Sequence, residues 1–343
     1  MEIEPWQVQL LSNLSAPAWL SDGGTDHDVV QSSRIRYARN IRGFRFPTTA
    51  SASELSEILG QVRSSISRAQ LRLKEWQDLS DAARDYLVHT RLISPGFSLQ
   101  GAQQGLYMTE DRSVSLMVNE EDHLRLQVLT PGWSLDDGVR MGDATIRPLE
   151  EHLVFAKADG IGYLTASPSN QGDGVRCSVM MHLLGLASRR QLAKVLEAAV
   201  ERGITARGLF GEHSRAVGHF FQISVHHRAD PAFRGAVEFL MDREREARAS
   251  LGADQVIAPL RAAAEFAVVS RRLQYVDSLR VLSWARLGAC LGLDGCPSSP
   301  REVDRWILGL EAKGSHSALV AEKFRAGLVR EKVEPILRAL TKK

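Results

Sequence analysis

Apolar residues recur at helical spacing through Leu55, Ile58, Leu59, Val62 and Ile66, and this pattern predicts helix across residues 52–92. The period then shortens to two. Leu106–Thr109, Val114–Val118 and Leu124–Thr130 are short alternating runs separated by Asp111-Arg112 and by Glu120-Glu121-Asp122, which predicts an antiparallel meander closed by Pro131-Gly132. Helix is expected over 134–157, a strand over Gly162–Ala166, helix over 174–202 with a break near Gly185, and a strand over 217–226. Asp230-Pro231 reads as a helix start, with Asp as the cap and Pro in the first turn. Everything beyond it reads as helix, punctuated by Gly252, Gly295-Cys296-Pro297 and Gly314.

These elements predict an α+β fold, an antiparallel sheet flanked by helices, with an all-α C-terminal domain. Residues 1–250 form the first domain, opening on a short irregular lead-in of about thirty residues, and residues 251–343 form the helical second one.

Composition narrows the function classes. Lys and Arg total 43 against 41 Asp and Glu, a formal charge of +2. That leaves no global basic field of the kind that carries sequence-independent nucleic-acid binding, so any anion must be held by a local cluster. Cys177, Cys290 and Cys296 form no C-x-x-C pair, which argues against a disulfide framework or thiolate zinc site and fits a reducing cytoplasm. No stretch reaches the roughly 20 apolar residues that a membrane span requires.

Common phosphate-handling motifs are missing: there is no G-x-x-x-x-G-K-[ST] loop and no Gly-rich loop paired with V-A-I-K. His227-Arg228-Ala229-Asp230 has the wrong order for a kinase catalytic loop, and no Asp-Phe-Gly follows. Five other segments concentrate functional side chains. In Ser32–Asn40, an extended backbone puts Arg34 and Arg36 on one face and Ile35 and Tyr37 on the other, so two guanidinium forks can grip adjacent phosphates; a solvated edge strand has the same pattern. In Asn119–Gln127, Leu124, Leu126 and Val128 face opposite to Arg125 and Gln127, beside three consecutive carboxylates whose repulsion a cationic ligand or Arg neighbours would relieve; acidic hairpin turns are also ordinary. Ser167–Arg176 reads as a small-residue loop opening a helix, with backbone N–H groups and Arg176 forming an anion site or merely a capped helix. Arg207–His213 ends a strand with two glycines, and Gly218–Ser224 reads as a core strand.

Taken in order, S-S-R-I-R-x-A-R-N, N-E-E-D-H-L-R, G-Y-L-T-x-x-P-x-N-x-G-x-G-x-R, R-G-x-x-G-E and F-Q-I-S resemble the catalytic domain of the phosphagen (guanidino) kinase family, whose fold is glutamine-synthetase-like, and within it the bacterial protein-arginine kinase branch. The resemblance covers about residues 28–225 and implies ATP-dependent phosphorylation of a guanidinium on proteins bearing exposed arginine. It implies that Arg34, Arg36, Arg125, Arg176 and Arg207 surround the ATP phosphates. Ser33, Arg91, the backbone of Cys177, Ser178, Val179 and Met180, and Gly208 and Gly211 complete the nucleotide site. Mg²⁺ is then held mainly through the nucleotide, with no dedicated metal ligands. Glu121 would be the base or aligning carboxylate and Glu212 the clamp on the other guanidinium edge, with Ser167 and His213 on the substrate side.

The chain departs from the pattern at Ser167, where the family usually carries Cys, and at Arg91, where many relatives carry His. His213, His219 and Val225-His226 also differ from the protein-arginine branch, and Ala321–Ala326 is a degenerate form of its phosphoarginine-binding motif. Only 33 residues precede Arg34, where small-molecule members carry a helical lid, so a site open to protein arginine is expected. The resemblance further implies a cytoplasmic homodimer acting in bacterial stress response, with an activator protein and Clp-type protease machinery as partners. A small-guanidine kinase and a catalytically silent phosphoarginine-binding module are the alternative readings.

Overall fold

The computed structural model describes residues 17–76, 81–97, 103–208, 217–310 and 317–342. An eight-stranded sheet organises them, in the order β2-β3-β4-β5-β1-β8-β10-β9. The strands are β1 (Val30–Arg39), β2 (Lys74–Trp76), β3 (Gly105–Met108), β4 (Val114–Val118), β5 (Leu124–Pro131), β8 (Val175–His182), β9 (Thr205–Gly208) and β10 (Phe220–Val225). A separate hairpin pairs β6 (Lys157–Ala158) with β7 (Gly162–Tyr163). The expected α+β architecture with an antiparallel meander is present: β3 pairs with β4 and β4 with β5, with Val118 opposite Leu124 and Met117 opposite Arg125.

Around the sheet lie α1 (Ala52–Arg68), α2 (Asp81–His89), α3 (Leu135–Glu150), α4 (Leu184–Ser188) and α5 (Leu192–Val200). The C-terminal helices are α6 (Pro231–Ala249), α7 (Ala253–Val269), α8 (Tyr275–Cys290), α9 (Pro300–Leu308) and α10 (Ala318–Thr341). Helix α1 begins where Ser51 and Glu54 cap each other reciprocally, and its stripe of Ile58, Leu59, Val62 and Ile66 is buried. No helix among the described residues is long and apolar enough to cross a membrane.

Several expectations change. The helix expected over 134–157 ends at Glu150, and the strand expected over Gly162–Ala166 is confined to Gly162–Tyr163. Residues 52–92 are not one helical stretch, because β2 interrupts them and pairs with β3. Residues 175–182 are a strand, not a helix start. Val175, Cys177, Val179 and Met181 alternate with Ser178 and Met180, but β8 is buried on both faces, so the period-two signal is hidden by apolar residues at nearly every position. The anion site expected at a helix N-terminus near Arg176 is therefore absent as such, and Arg176 projects from a strand instead.

The chain forms two compact units that interleave along the sequence. One holds Trp19, Ser33–Ser178 and Val225–Asp230; the other holds Leu20–Ser32, Val179–Ser224 and the chain from Pro231 onward. In the first, α3 packs on β5. There Gly138 and Gly142 leave room for Ile35 and Tyr37, which β1 buries on the face opposite its arginines. In the second, α7, α8 and α10 pack together around Leu260, Ala264, Leu282, Ala285, Val329, Val333 and Ile336.

Candidate active site

Strand β1 alternates as the sequence requires. Ile35 and Tyr37 are buried, while Arg34 and Arg36 line the other face and keep some solvent contact. Burial and then the neighbouring charges of Arg91, Arg125 and Arg176 push the Arg34 pKa down to about 9. Arg36 is driven well below its usual value, first by burial and then by Arg34, Arg125 and Arg176, with Glu120 opposing. The Nε of Arg36 is buried and has no hydrogen-bond partner among the described residues. A cluster of mutually repelling guanidiniums below the surface is a standing cost that a polyanion relieves.

The acidic turn between β4 and β5 stands beside this cluster. Arg125 Nη1 donates to Glu120 Oε2 at 2.9 Å and to Glu121 Oε2 at 2.7 Å. Burial opposes charge on Arg125, but Glu120 and Glu121 outweigh it and raise its pKa. The third carboxylate serves the scaffold. Asp122 is fully buried; its Oδ1 accepts from Asn40 Nδ2 at 2.6 Å and from the Ala166 amide at 2.7 Å, and burial raises its pKa. His123 is fixed the same way. Its amide donates to Asn40 Oδ1 at 2.9 Å, its Nδ1 accepts from the Ile41 amide at 2.9 Å, and Nε2 lies 2.9 Å from the Arg45 carbonyl. Because Nδ1 accepts, Nε2 carries the proton, and burial lowers the His123 pKa. Asn119 completes the clamp in a left-handed conformation, φ 57°, its amide donating to Leu55 O at 2.9 Å. Glu120 and Glu121 thus project from a turn pinned by β1 and α1.

The remaining sequence candidates fall in several places. Ser33 is buried, its hydroxyl donating to Gly132 O at 2.8 Å and accepting from the Ser134 amide at 3.2 Å. Cys177, Ser178, Val179 and Met180 are buried strand residues of β8, and Ser178 Oγ donates to Arg34 O at 3.4 Å. Ser167 lies 2.9 Å, hydroxyl to hydroxyl, from Ser169 in a short 3-10 turn over Pro168–Asn170. Arg207 and Gly208 belong to β9 in the second unit, Arg207 opposite Gln222 of β10. Gly211, Glu212 and His213 lie outside the described residues. Sequence reading missed Asn40, whose amide bridges Asp122 and His123, and Trp19, whose ring lies against Arg91. Asn40 adjoins the recognised arginine strand and carried that signal; nothing local marked Trp19.

The first unit thus gathers guanidinium groups beside a paired-glutamate turn, in a chain whose sequence holds no P-loop. The chain belongs to the ATP:guanido phosphotransferase family, whose C-terminal catalytic domain model matches residues 54–230. It is similar to the protein-arginine kinase of Moorella thermoacetica, 36% identical over 288 residues and covering 79% of this chain and 82% of that protein. The protein-arginine kinase of Desulforamulus reducens is 34% identical over 343 residues, covering 93% and 96%. Among solved structures, lombricine kinase superposes with a TM-score of 0.57 at 22% identity, covering 70% of this chain and 74% of that one. The duplicated taurocyamine kinase from Schistosoma mansoni, with bound transition-state-analogue components, gives 0.58 at 22% identity, covering 76% and 40%. Both share the fold.

Proposed function

We propose that this chain is an ATP-dependent protein-arginine kinase that transfers the γ-phosphoryl group to a guanidinium nitrogen of arginine in a protein substrate. The observation that carries the reading is the gathering of Arg34, Arg36, Arg91, Arg125 and Arg176 in one unit with Glu120 and Glu121 at their edge. The kinship with protein-arginine kinases supports the choice of acceptor.

The buried guanidiniums fit a triphosphate, and Arg34, Arg36, Arg91, Arg125 and Arg176 are the residues of the first unit that would hold it. Glu120 and Glu121 are both engaged by Arg125, so Mg²⁺ would be carried mainly by the nucleotide phosphates and water. Bound in this way, Mg²⁺ would neutralise charge on the phosphates. Among the described residues no group of three or more His, Cys, Asp or Glu is arranged to hold a metal.

An arginine guanidinium is protonated at neutral pH and its nitrogen lone pairs are delocalised, so it must be aligned and must lose a proton as it attacks. The N–P bond forms while the bond from the γ-phosphorus to its bridging oxygen breaks, and that oxygen leaves with the electron pair. The proton from the attacking nitrogen passes to the Glu121 carboxylate. Alignment and charge neutralisation supply most of the acceleration, as in other phosphoryl transfers.

Incubation with γ-labelled Mg-ATP and an arginine-rich protein tests the reading, with products analysed by mass spectrometry under non-acidic conditions. Acid-labile phosphate on arginine side chains is expected. Label on free arginine but not on protein would establish a small-guanidine kinase instead, and no label on either would leave a phosphoarginine-binding module. The proposal extends, by family kinship, to a cytoplasmic homodimer working with an activator and a Clp-type protease in stress response.

A further inference from the structure

Arg91 occupies a backbone conformation that large side chains rarely take. Helix α2 closes with the Thr90 amide on Tyr86 O at 2.8 Å, the Arg91 amide on Val88 O at 2.9 Å and the Leu92 amide returning to Leu87 O at 2.8 Å. The residue that turns the chain is Arg91, at φ 64°. Glycine normally fills such a position, and an L-residue in it costs roughly 1–2 kcal/mol. Its neighbour Leu92 is fixed on all sides: the side chain is fully buried and the carbonyl accepts from Ser115 Oγ at 2.7 Å and from the Gln127 amide. Strain that the surroundings over-determine in this way points to a function for the strained residue.

Electrostatics alone would drive the Arg91 side chain outward, since its charge is the leading neighbour effect lowering the Arg34 pKa. Instead its Cζ lies 4.2 Å from the ring centroid of Trp19. Trp19 is only 4% exposed and anchored at two points. Its indole N–H donates to Thr90 O at 3.1 Å, and the preceding Ala18 amide donates to Asp111 O at 3.2 Å. The indole face is the most favourable aromatic surface for a cation, and a desolvated stack is worth enough to offset a guanidinium neighbour.

We propose that Trp19 is a positioning residue that holds Arg91 within the guanidinium cluster and thereby sets the affinity for the nucleotide. This rests on the reading that the cluster binds ATP. The stack on Trp19 lets a long, permanently charged side chain be held in a fixed place.

The test is a double-mutant cycle on the full chain, reading Mg-ATP Kd by calorimetry, the KM for ATP, kcat and the KM for protein substrate. Trp19→Leu should weaken Mg-ATP binding roughly five- to thirtyfold, the factor equivalent to a partly desolvated cation–π contact, with kcat and protein KM nearly unchanged. Trp19→Phe should fall between it and the wild type, and Arg91→Ala should make Trp19→Leu silent. Wild-type ATP affinity in Trp19→Phe and Trp19→Leu overturns the proposal. An equal loss from Trp19→Leu in the Arg91→Ala background overturns it too, because Trp19 would then act on the fold rather than through Arg91. If Trp19→Leu does not fold, Trp19→Phe with Arg91→Lys carries the same cycle. Unchanged ATP affinity in an active Arg91→Ala enzyme removes Arg91 from the nucleotide site and the proposal with it; loss of all Mg-ATP binding capacity by the wild-type chain would instead refute the underlying reading.

Discussion

Glu121 and Arg125 show how one side chain holds another ready. The 2.7 Å contact from Arg125 fixes the Glu121 carboxylate beside Glu120, and the shared guanidinium offsets the repulsion between the two acidic side chains. Glu121→Gln keeps an oxygen for Arg125 but cannot receive a proton. It should lower kcat by roughly 10²–10⁴ with ATP affinity little changed, measured by steady-state kinetics and calorimetry. Activity near the wild-type value would remove Glu121 from the proton-transfer role. The arginine cluster makes a second prediction of opposite kind. Arg36 is charged where burial and its neighbours disfavour charge, so Arg36→Met should raise the stability of the nucleotide-free protein by about 1 kcal/mol while weakening ATP binding. Denaturant unfolding with and without Mg-ATP checks both halves, and a destabilised apo variant would show that Arg36 is structural. At this scale much was legible from sequence, because alternation on an extended strand separates Arg34 and Arg36 from Ile35 and Tyr37 whatever surrounds it. Arg91 over Trp19 was not, since that contact spans 72 positions and exists only in the folded chain.

The elements follow their apolar periods where one face is wet and escape them where both faces are covered. Helix α1 and strands β3 to β5 could be read directly, the former from its stripe, the latter from alternation broken by polar turns. Strand β8 could not, because its residues from Cys177 to His182 are all buried and a continuous apolar run carries no period. Strand β2 was hidden for another reason: three residues at a sheet edge are specified by pairing with β3, not by their own sequence. The close approach of α3 to β1 gives a prediction at this scale. A Cβ at Gly142 would strike the ring and hydroxyl of Tyr37, which cannot yield because it is 1% exposed and its hydroxyl donates to Asp143 Oδ1 at 2.9 Å. Gly142→Ala should therefore cost about 1–3 kcal/mol in urea unfolding. Gly60 on α1 is the control: a Cβ there meets nothing within 4 Å, so Gly60→Ala should gain about 0.5–1 kcal/mol from helix propensity. Equal responses at the two positions would refute the packing argument.

At the scale of the whole molecule, the unit that contains the C-terminal helices is held by buried charge as well as by apolar packing. Arg286 and Asp304 are fully buried and paired at 2.9 Å, Gln31 Nε2 donates to Asp304 Oδ1 at 2.9 Å, and Arg248 pairs with Glu244 at 2.7 Å. His182 sits inside this network. Its Nδ1 accepts from Arg286 Nη1 at 3.4 Å, its Nε2–H donates to Ser283 Oγ at 2.8 Å, and the Ser283 hydroxyl donates to Gly218 O at 2.6 Å. That relay is complete only with a neutral imidazole. Burial, then Arg286, Arg248 and His219, drive the His182 pKa well below 6.5. The sign follows from which state binds the proton: between pH 6.5 and the depressed folded value, the unfolded chain takes up a proton that the folded chain refuses. Stability is therefore full above about pH 6.5 and falls as pH drops, by up to about 1.4 kcal/mol per pH unit for each such histidine. His123 and His219, also lowered by burial, add in the same direction, while Asp122 and Glu244, raised by burial, oppose it. Urea midpoints at pH 7.5, 6.5 and 5.5 should decline for the wild type, and His182→Gln, which keeps an amide for Ser283 but cannot be protonated, should flatten the decline. An unchanged slope in His182→Gln would move the acid sensitivity of this unit to other groups and leave the neutral relay without a role in it.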